Sequence, residues 1–209
     1  MKLNIHNLCK SFGPLQVLNH VSFELESGQI YCLMSPSGSG KTTLLRILMG
    51  LEHADSGQIF YDRTTDSNAK SSHSRETKKV RISAVFQEDR LCELFTPVEN
   101  VMMVTGKSMT ADQVRKELSR LLPEESLSRP VSTLSGGMKR RTAICRALLA
   151  DYDLLLMDEP FTGLDDETRG KVIAYILEKT SDKLVLLTTH QEQDISALGA
   201  RLLKLPEGH

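Results

Sequence analysis

Ser35-Pro36-Ser37-Gly38-Ser39-Gly40-Lys41-Thr42-Thr43 decides the fold. Before it runs an apolar, strand-like segment, Gln29-Ile30-Tyr31-Cys32-Leu33-Met34, and after it Leu44-Leu45-Arg46-Ile47-Leu48-Met49 reads as helix. A Gly/Ser turn at a strand-to-helix junction gathers successive backbone N–H groups into one concavity, and the helix N-terminus adds the positive end of its dipole. Such a concavity suits a polyphosphate. Lys41 can reach the outer phosphates, and the Thr42 hydroxyl is placed to ligate Mg2+. The competing reading is a Gly/Ser loop that matches by accident. The flanking strand and helix, with Lys-Thr in register, favour a nucleotide-binding P-loop. Ser35 stands where this pattern normally begins with Gly, so some backbone strain is expected there.

At 209 residues the chain fits one domain, or one domain with a subdomain. A net charge of −1 gives no electrostatic case for nucleic acid or an anionic membrane surface. Cys9, Cys32, Cys92 and Cys145 are far apart and form no CxxC pair, which reads as buried free thiols in a reducing cytosol. The N-terminus, Met1-Lys2-Leu3-Asn4-Ile5-His6, alternates like a strand and lacks a signal-peptide core. No segment approaches the ~20 apolar residues that span a bilayer, so a soluble chain is expected, with any membrane role reached through a partner.

Strand-like runs cover residues 3–8, 17–25, 29–34, 58–61 and 80–86, and Gly50 is a suitable C-cap for the helix after the P-loop. Residues 63–79 are almost wholly polar and read as a solvated, mobile loop. From Gln87 to about Ala150 the pattern turns helical, with capping boxes at Thr96-Pro97-Val98-Glu99 and Thr110-Ala111-Asp112-Gln113. Then follow an apolar strand at 154–157, a helix at 166–179, a strand at 184–189, a short helix at 191–198 and a strand at 201–205. Fully apolar strands alternating with helices imply an α/β fold whose parallel sheet is covered on both faces.

Leu154-Leu155-Leu156-Met157-Asp158-Glu159-Pro160 delivers two adjacent carboxylates at the C-terminal edge of a buried strand, where ligands of open α/β sheets bind. Asp158 would hold Mg2+ alongside Thr42, and Glu159 could polarise the water that attacks the γ-phosphate. Without a cation a buried carboxylate pair would be costly. A plain Asp-Glu-Pro turn is the alternative. Leu134-Ser135-Gly136-Gly137-Met138, at the start of a helix read over 139–149, makes a second anion-binding helix N-terminus.

Together these motifs resemble the ATP-binding cassette (ABC) ATPases over nearly the whole chain. The resemblance implies a P-loop NTPase with a mainly parallel core sheet, an N-terminal antiparallel β subdomain and a helical subdomain at about 88–150, all within one domain of residues 1–209. It implies that Ser135, Gly136, Gly137 and Met138 bind the γ-phosphate held by a second subunit's P-loop. Gly163-Leu164-Asp165 matches the loop through which the subunits communicate, with Asp165 carrying that role. His190, after Thr188-Thr189, matches the residue that contacts the γ-phosphate and positions the water with Glu159. Gln87 matches the glutamine that senses Mg2+ and the attacking water, and Phe12 the aromatic that stacks on adenine. The catalytic set is then Glu159, His190, Gln87 and Lys41, and the metal set Thr42, Gln87 and Asp158, with ATP and Mg2+ as cofactors. Simple packing is the alternative for Phe12, and a structural role for a lone histidine such as His190. Met138 stands where the family usually carries Gln, and a thioether cannot donate a hydrogen bond.

The resemblance also implies a head-to-tail homodimer that closes on two ATP molecules and opens on hydrolysis, driving a separate integral-membrane permease. Leu91, Leu94, Phe95, Met102 and Met103 would offer that permease an apolar docking surface, or else belong to the subdomain core. Val85-Phe86-Gln87-Glu88-Asp89-Arg90-Leu91, followed by Thr96-Pro97-Val98-Glu99-Asn100-Val101, looks most like the nitrate/sulfonate/taurine branch of bacterial importers and departs from it at Cys92-Glu93-Leu94-Phe95. An importer subunit with an extracytoplasmic solute-binding protein, peripheral on the inner face of the cell membrane, is therefore expected. Three alternatives stay open: an exporter or lipoprotein/division-type complex, a soluble ABC protein for DNA or ribosome work, and a cassette that binds ATP without turnover. The balanced charge argues against a nucleic-acid partner.

Overall fold

The computed structural model describes residues 1–62 and 79–206. Its strands and α-helices run β1 (Lys2–Phe12), β2 (Leu15–Glu26), β3 (Gln29–Leu33), α1 (Lys41–Leu48), β4 (Ser56–Asp62), β5 (Ile82–Val85), α2 (Pro97–Thr105) and α3 (Ala111–Leu118). They continue with α4 (Gly136–Leu149), β6 (Leu154–Met157), α5 (Asp166–Lys179), β7 (Leu184–Thr188), α6 (Glu192–Leu198) and β8 (Arg201–Leu203). The polar run at 63–79 lies, apart from its last residue, outside the described residues.

Every residue of β6 and β7 is buried, which selects the middle of a sheet covered on both sides. The five-stranded sheet has the order β5-β6-β7-β3-β8, and its neighbouring strands pair in parallel. Side chains alternate between the faces. Leu154, Leu156, Leu184 and Leu186 pack with α1 and with Leu3, Leu18 and Leu25 of the antiparallel sheet β2-β1-β4. Leu155, Met157, Val185 and Leu187 pack on the opposite side with residues of α3, α4 and α5. Two cores therefore share the two central strands as a common wall.

Local chemistry sets the helix starts. Thr96 and Thr110 both form the expected capping boxes, with the Thr96 hydroxyl accepting from Glu99 N at 3.2 Å and Glu99 Oε2 accepting from Thr96 N at 2.8 Å. The helix after Leu134 begins at Gly136, three residues earlier than the sequence suggests, because Ser135 caps it by accepting from Met138 N at 3.3 Å. Helical structure after Gln87 starts only at Pro97, since Asn100 holds the preceding loop open. Its buried carboxamide accepts from Cys92 N at 2.8 Å and donates to Cys92 O and Thr96 O, both at 3.0 Å.

Tyr175 and Lys179 of α5 donate to the two oxygens of Glu117 on α3, each at 2.9 Å. Burial alone would raise the Glu117 carboxyl, but these hydrogen bonds and the Lys179 charge hold it below the usual carboxylate range.

The four cysteines are free, as the sequence suggests, but they are not uniformly buried. Cys32 and Cys145 are, and burial pushes both thiols up to about 12, which keeps them protonated and inert. Cys92 is exposed and Cys9 half-buried. Of the expected apolar docking residues, Met102 packs against the core, whereas Leu94, Phe95 and Met103 are exposed. Met138 also packs against the core, so its thioether serves as apolar filling at the start of α4.

Ser35 is not strained. The left-handed positions of its loop are Gly38, with φ 80°, and Gly40, with φ 92°. At Gly40 a Cβ would also approach Val17 O to 2.7 Å, so glycine is required there twice over. Ser35 instead contributes a contact that glycine could not make, because its Oγ accepts from the backbone N–H of buried Leu205 at 3.1 Å. The first position of the motif is in this chain a hydrogen-bonding position and not a conformational requirement.

Two outcomes are expected in urea unfolding. Leu186→Ala, in the wall shared by both cores, should lose about 3 kcal/mol. Ser35→Ala, which leaves the Leu205 amide without its partner, should lose about 1 kcal/mol.

Candidate active site

The edge where the parallel strands end carries the polar residues. The P-loop follows β3, Asp158 and Glu159 follow β6, and Thr189 and His190 follow β7. Because β3, β6 and β7 run in the same direction, all three segments emerge at one edge of the sheet.

A continuous hydrogen-bonded chain joins them. The Thr42 hydroxyl donates to Asp158 Oδ2 at 2.8 Å. The Thr188 hydroxyl donates to Asp158 Oδ1 at 2.7 Å and accepts from Glu159 N at 2.9 Å. Glu159 Oε1 lies 2.8 Å from His190 Nε2. Asp158 is thus buried with both oxygens satisfied by hydroxyls, while Glu159 and His190 remain partly open to solvent. Glu159 adopts φ 48°, a left-handed conformation that costs a non-glycine residue about 1 kcal/mol. The Thr188 hydroxyl and the His190 ring hold it there.

Within the P-loop, Lys41 is buried and folds back across the turn. Its ammonium donates to Ser35 O at 2.6 Å and Pro36 O at 2.9 Å. The Ser39 hydroxyl is buried with no hydrogen-bond partner. An orphaned hydroxyl and a buried ammonium, in a loop that opens onto a helix N-terminus, match what a phosphate chain needs. Thr42, Asp158 and Gln87 line one cleft of about 140 Å3 together with Phe86 and Arg46. A hydroxyl, a carboxylate and a carboxamide are hard oxygen donors of the kind Mg2+ selects. A second recess of about 190 Å3 is bounded by Glu159, Thr162, Gly163, His190 and Asp194.

The other expected residues lie outside this cluster. Phe12, at the end of β1, is 48% exposed, and Lys10 Nζ stands 4.9 Å from its ring centroid. Ser135 and Gly136 are exposed at the start of α4. Among the described residues no hydrogen bond joins them to the P-loop. Gly137 instead faces Gly163 O, which a Cβ at residue 137 would meet at 3.6 Å. Asp165 caps α5 by accepting from Thr168 N at 2.9 Å, and this hydrogen bond holds its carboxyl below the ordinary aspartate range.

Thr188 escaped the sequence reading as a site residue, although a hydroxyl at the end of an otherwise apolar, fully buried strand is a usable signal. Arg169 also escaped it. From α5 it reaches Leu164 O at 3.4 Å, the Gln191 side chain, and Asp194 Oδ1 at 3.9 Å, and so links the loop after β6 to the one after β7.

Comparison with known proteins agrees with this geometry. The ABC transporter family model matches residues 18–162. The sulfate/thiosulfate import ATP-binding protein CysA of Escherichia coli is 34% identical over the whole of this chain, which spans 59% of that relative's length. The Nod factor export ATP-binding protein I of Burkholderia lata is 36% identical over 99% of this chain and 68% of its own. Among solved structures, the dimeric bacterial ABC transporter cassette MJ0796 superposes with a TM-score of 0.81 at 26% identity, covering 97% of this chain and 94% of its own. A post-hydrolysis form of the same cassette, bound to ADP and Pi, gives a TM-score of 0.79 at 27% identity. A P-loop, a carboxylate pair and a histidine on one sheet edge, in a chain with these relatives, make it a member of the ABC transporter family of ATP-binding proteins.

Proposed function

We propose that the chain is the Mg2+-dependent ATPase subunit of a membrane ABC transporter, acting as one cassette over residues 1–209 with a helical subdomain at 88–150. The observation that carries the reading is the hydrogen-bonded chain from Thr42 through Asp158, Thr188 and Glu159 to His190. It joins Thr42 and Asp158 to the Glu159 carboxylate in one connected network, which supports reading them as metal ligands and base.

In this reading Ser35, Pro36, Ser37, Gly38, Ser39, Gly40, Lys41, Thr42 and Thr43 cradle the phosphates, and Phe12 stacks on adenine. Thr42, Asp158 and Gln87 would hold Mg2+, which when bound neutralises phosphate charge. Lys41 exchanges its two carbonyl partners for phosphate oxygens. Glu159 accepts a proton from the attacking water, and His190 fixes the direction of its carboxylate. Thr188 keeps Asp158 and the Glu159 backbone in register while this occurs.

Ser135, Gly136, Gly137 and Met138 act on the nucleotide of a second copy, with Asp165 at the junction, in a head-to-tail homodimer. Support comes from the exposure of Ser135 and Gly136 and from the dimeric state of the MJ0796 cassette. Among the described residues no helix is long and apolar enough to cross a membrane, and in this reading transport runs through a separate integral-membrane permease. Leu94, Phe95 and Met103 supply exposed apolar contact for it on the inner face of the membrane. Import, with an extracytoplasmic solute-binding protein, is the first reading and is supported by the sulfate/thiosulfate relative. Export is the second, on the strength of the Nod factor relative.

Glu159→Gln should still dimerise with ATP in light scattering while its turnover falls about 100-fold. An undiminished rate would remove Glu159 from the role of base. Affinity purification from native membranes in mild detergent should recover a polytopic permease. A polytopic permease, especially with a solute-binding protein, settles the importer reading, and a partner that is not a membrane protein defeats the transport reading.

A further inference from the structure

The chain leaves β5 at Val85 and forms no helix or strand until Pro97. Carbonyl groups along this stretch need donors. Two arginines of α4 provide them. Arg140 donates from Nη1 to Phe86 O at 2.7 Å and from Nη2 to Gln87 O, while Arg146 donates to Arg90 O at 2.9 Å and Asp89 O at 3.2 Å. Arg140 is only 7% exposed, and Asp89 Oδ1 balances its charge at 3.2 Å. The Arg90 guanidinium stacks on Phe86 at 4.1 Å, and Ser83 of β5 donates to Ala147 O of α4 at 2.8 Å. The first half of the loop, Phe86 to Arg90, is thus fastened to α4, while the Gln87 side chain stays exposed and shares the cleft with Thr42 and Asp158.

We propose that Arg140 is a positioning residue for ATP hydrolysis: by gripping the carbonyls of Phe86 and Gln87 it sets where the Gln87 carboxamide stands beside Thr42 and Asp158. The inference rests on the reading of Gln87 as a group that acts on the metal and the attacking water. A planar guanidinium suits the task because its fork of donors can engage two successive carbonyls at once, which a lysine ammonium cannot do with fixed geometry. The same helix begins at Gly136, capped by Ser135, and Gly137 lies three residues before Arg140. A rigid body therefore joins the surface offered to a second subunit's nucleotide with the backbone that carries Gln87.

The test is a double-mutant cycle on the full chain, reading steady-state ATP hydrolysis across Mg2+ concentrations for Arg140→Gln, Gln87→Ala and the pair. Arg140→Gln should lower kcat about 10-fold and raise the half-maximal Mg2+ concentration about 3-fold, with KM for ATP within about 2-fold of the parent. In the Gln87→Ala background the same substitution should change kcat by less than about 2-fold, since its effect passes through Gln87. Arg140→Lys, which keeps the charge and one donor, should recover part of the rate, and it replaces Arg140→Gln in the cycle if that variant fails to fold. Equal losses with and without Gln87 would overturn the proposal and leave the Gln87 reading intact. A Gln87→Ala protein with parental kcat and Mg2+ dependence would remove the Gln87 reading first, and the proposal with it.

Discussion

A strand covered on both faces admits no carboxylate until it reaches its end. β6 and β7 carry only buried residues; the first polar residue of β7, Thr188, is its last paired position, and Asp158 follows the last paired residue of β6. Burying a lone charge costs several kcal/mol, so Asp158 must be met at once by partners, and the Thr42 and Thr188 hydroxyls meet it. Through these two contacts the end of β6 fixes the first turn of α1 and the last residue of β7. The backbone of Glu159 and the ring of His190 then follow from the position of Thr188. The site is in this sense a consequence of how the sheet terminates.

What the sequence discloses is what is local. The apolar runs, both capping boxes and the Gly/Ser turn with Lys41 are patterns within a few residues of one another, and each governs backbone geometry over the same range. The two-sided core was equally readable, because strands with no polar alternation leave no face for water. The contacts that escaped are those between positions remote in sequence. Arg140 meets Phe86 and Gln87 across more than fifty positions, and nothing in the periodicity of α4 indicates which buried arginine faces a carbonyl. Ser35 was misjudged for a related reason. Its partner, Leu205, comes from the far end of the chain, so a residue that looked like a lapse in the glycine pattern is a tie between the P-loop and the segment beyond β8.

Family membership constrains the fold more tightly than the biology. An import protein and an export protein stand at 34% and 36% identity to this chain, which is what a shared ATP-handling core would produce. In such a core, residues that touch nucleotide answer to phosphate chemistry, which import and export have in common. Leu94 and Met103 stand exposed around α2, where the proposed permease would dock.

The hairpin that Lys41 makes over its own loop has a thermodynamic meaning. Its ammonium already holds Ser35 O and Pro36 O at short distances in a buried setting. A polyphosphate entering the loop must therefore outbid two carbonyl dipoles that are permanently at hand. Affinity at this site reads a difference between two sets of oxygens, one neutral and one anionic. A ligand with a single weakly charged phosphate gains little from the exchange, whereas a di- or triphosphate gains with each added charge. In the proposed reading, anion charge would then decide whether the exchange is favourable.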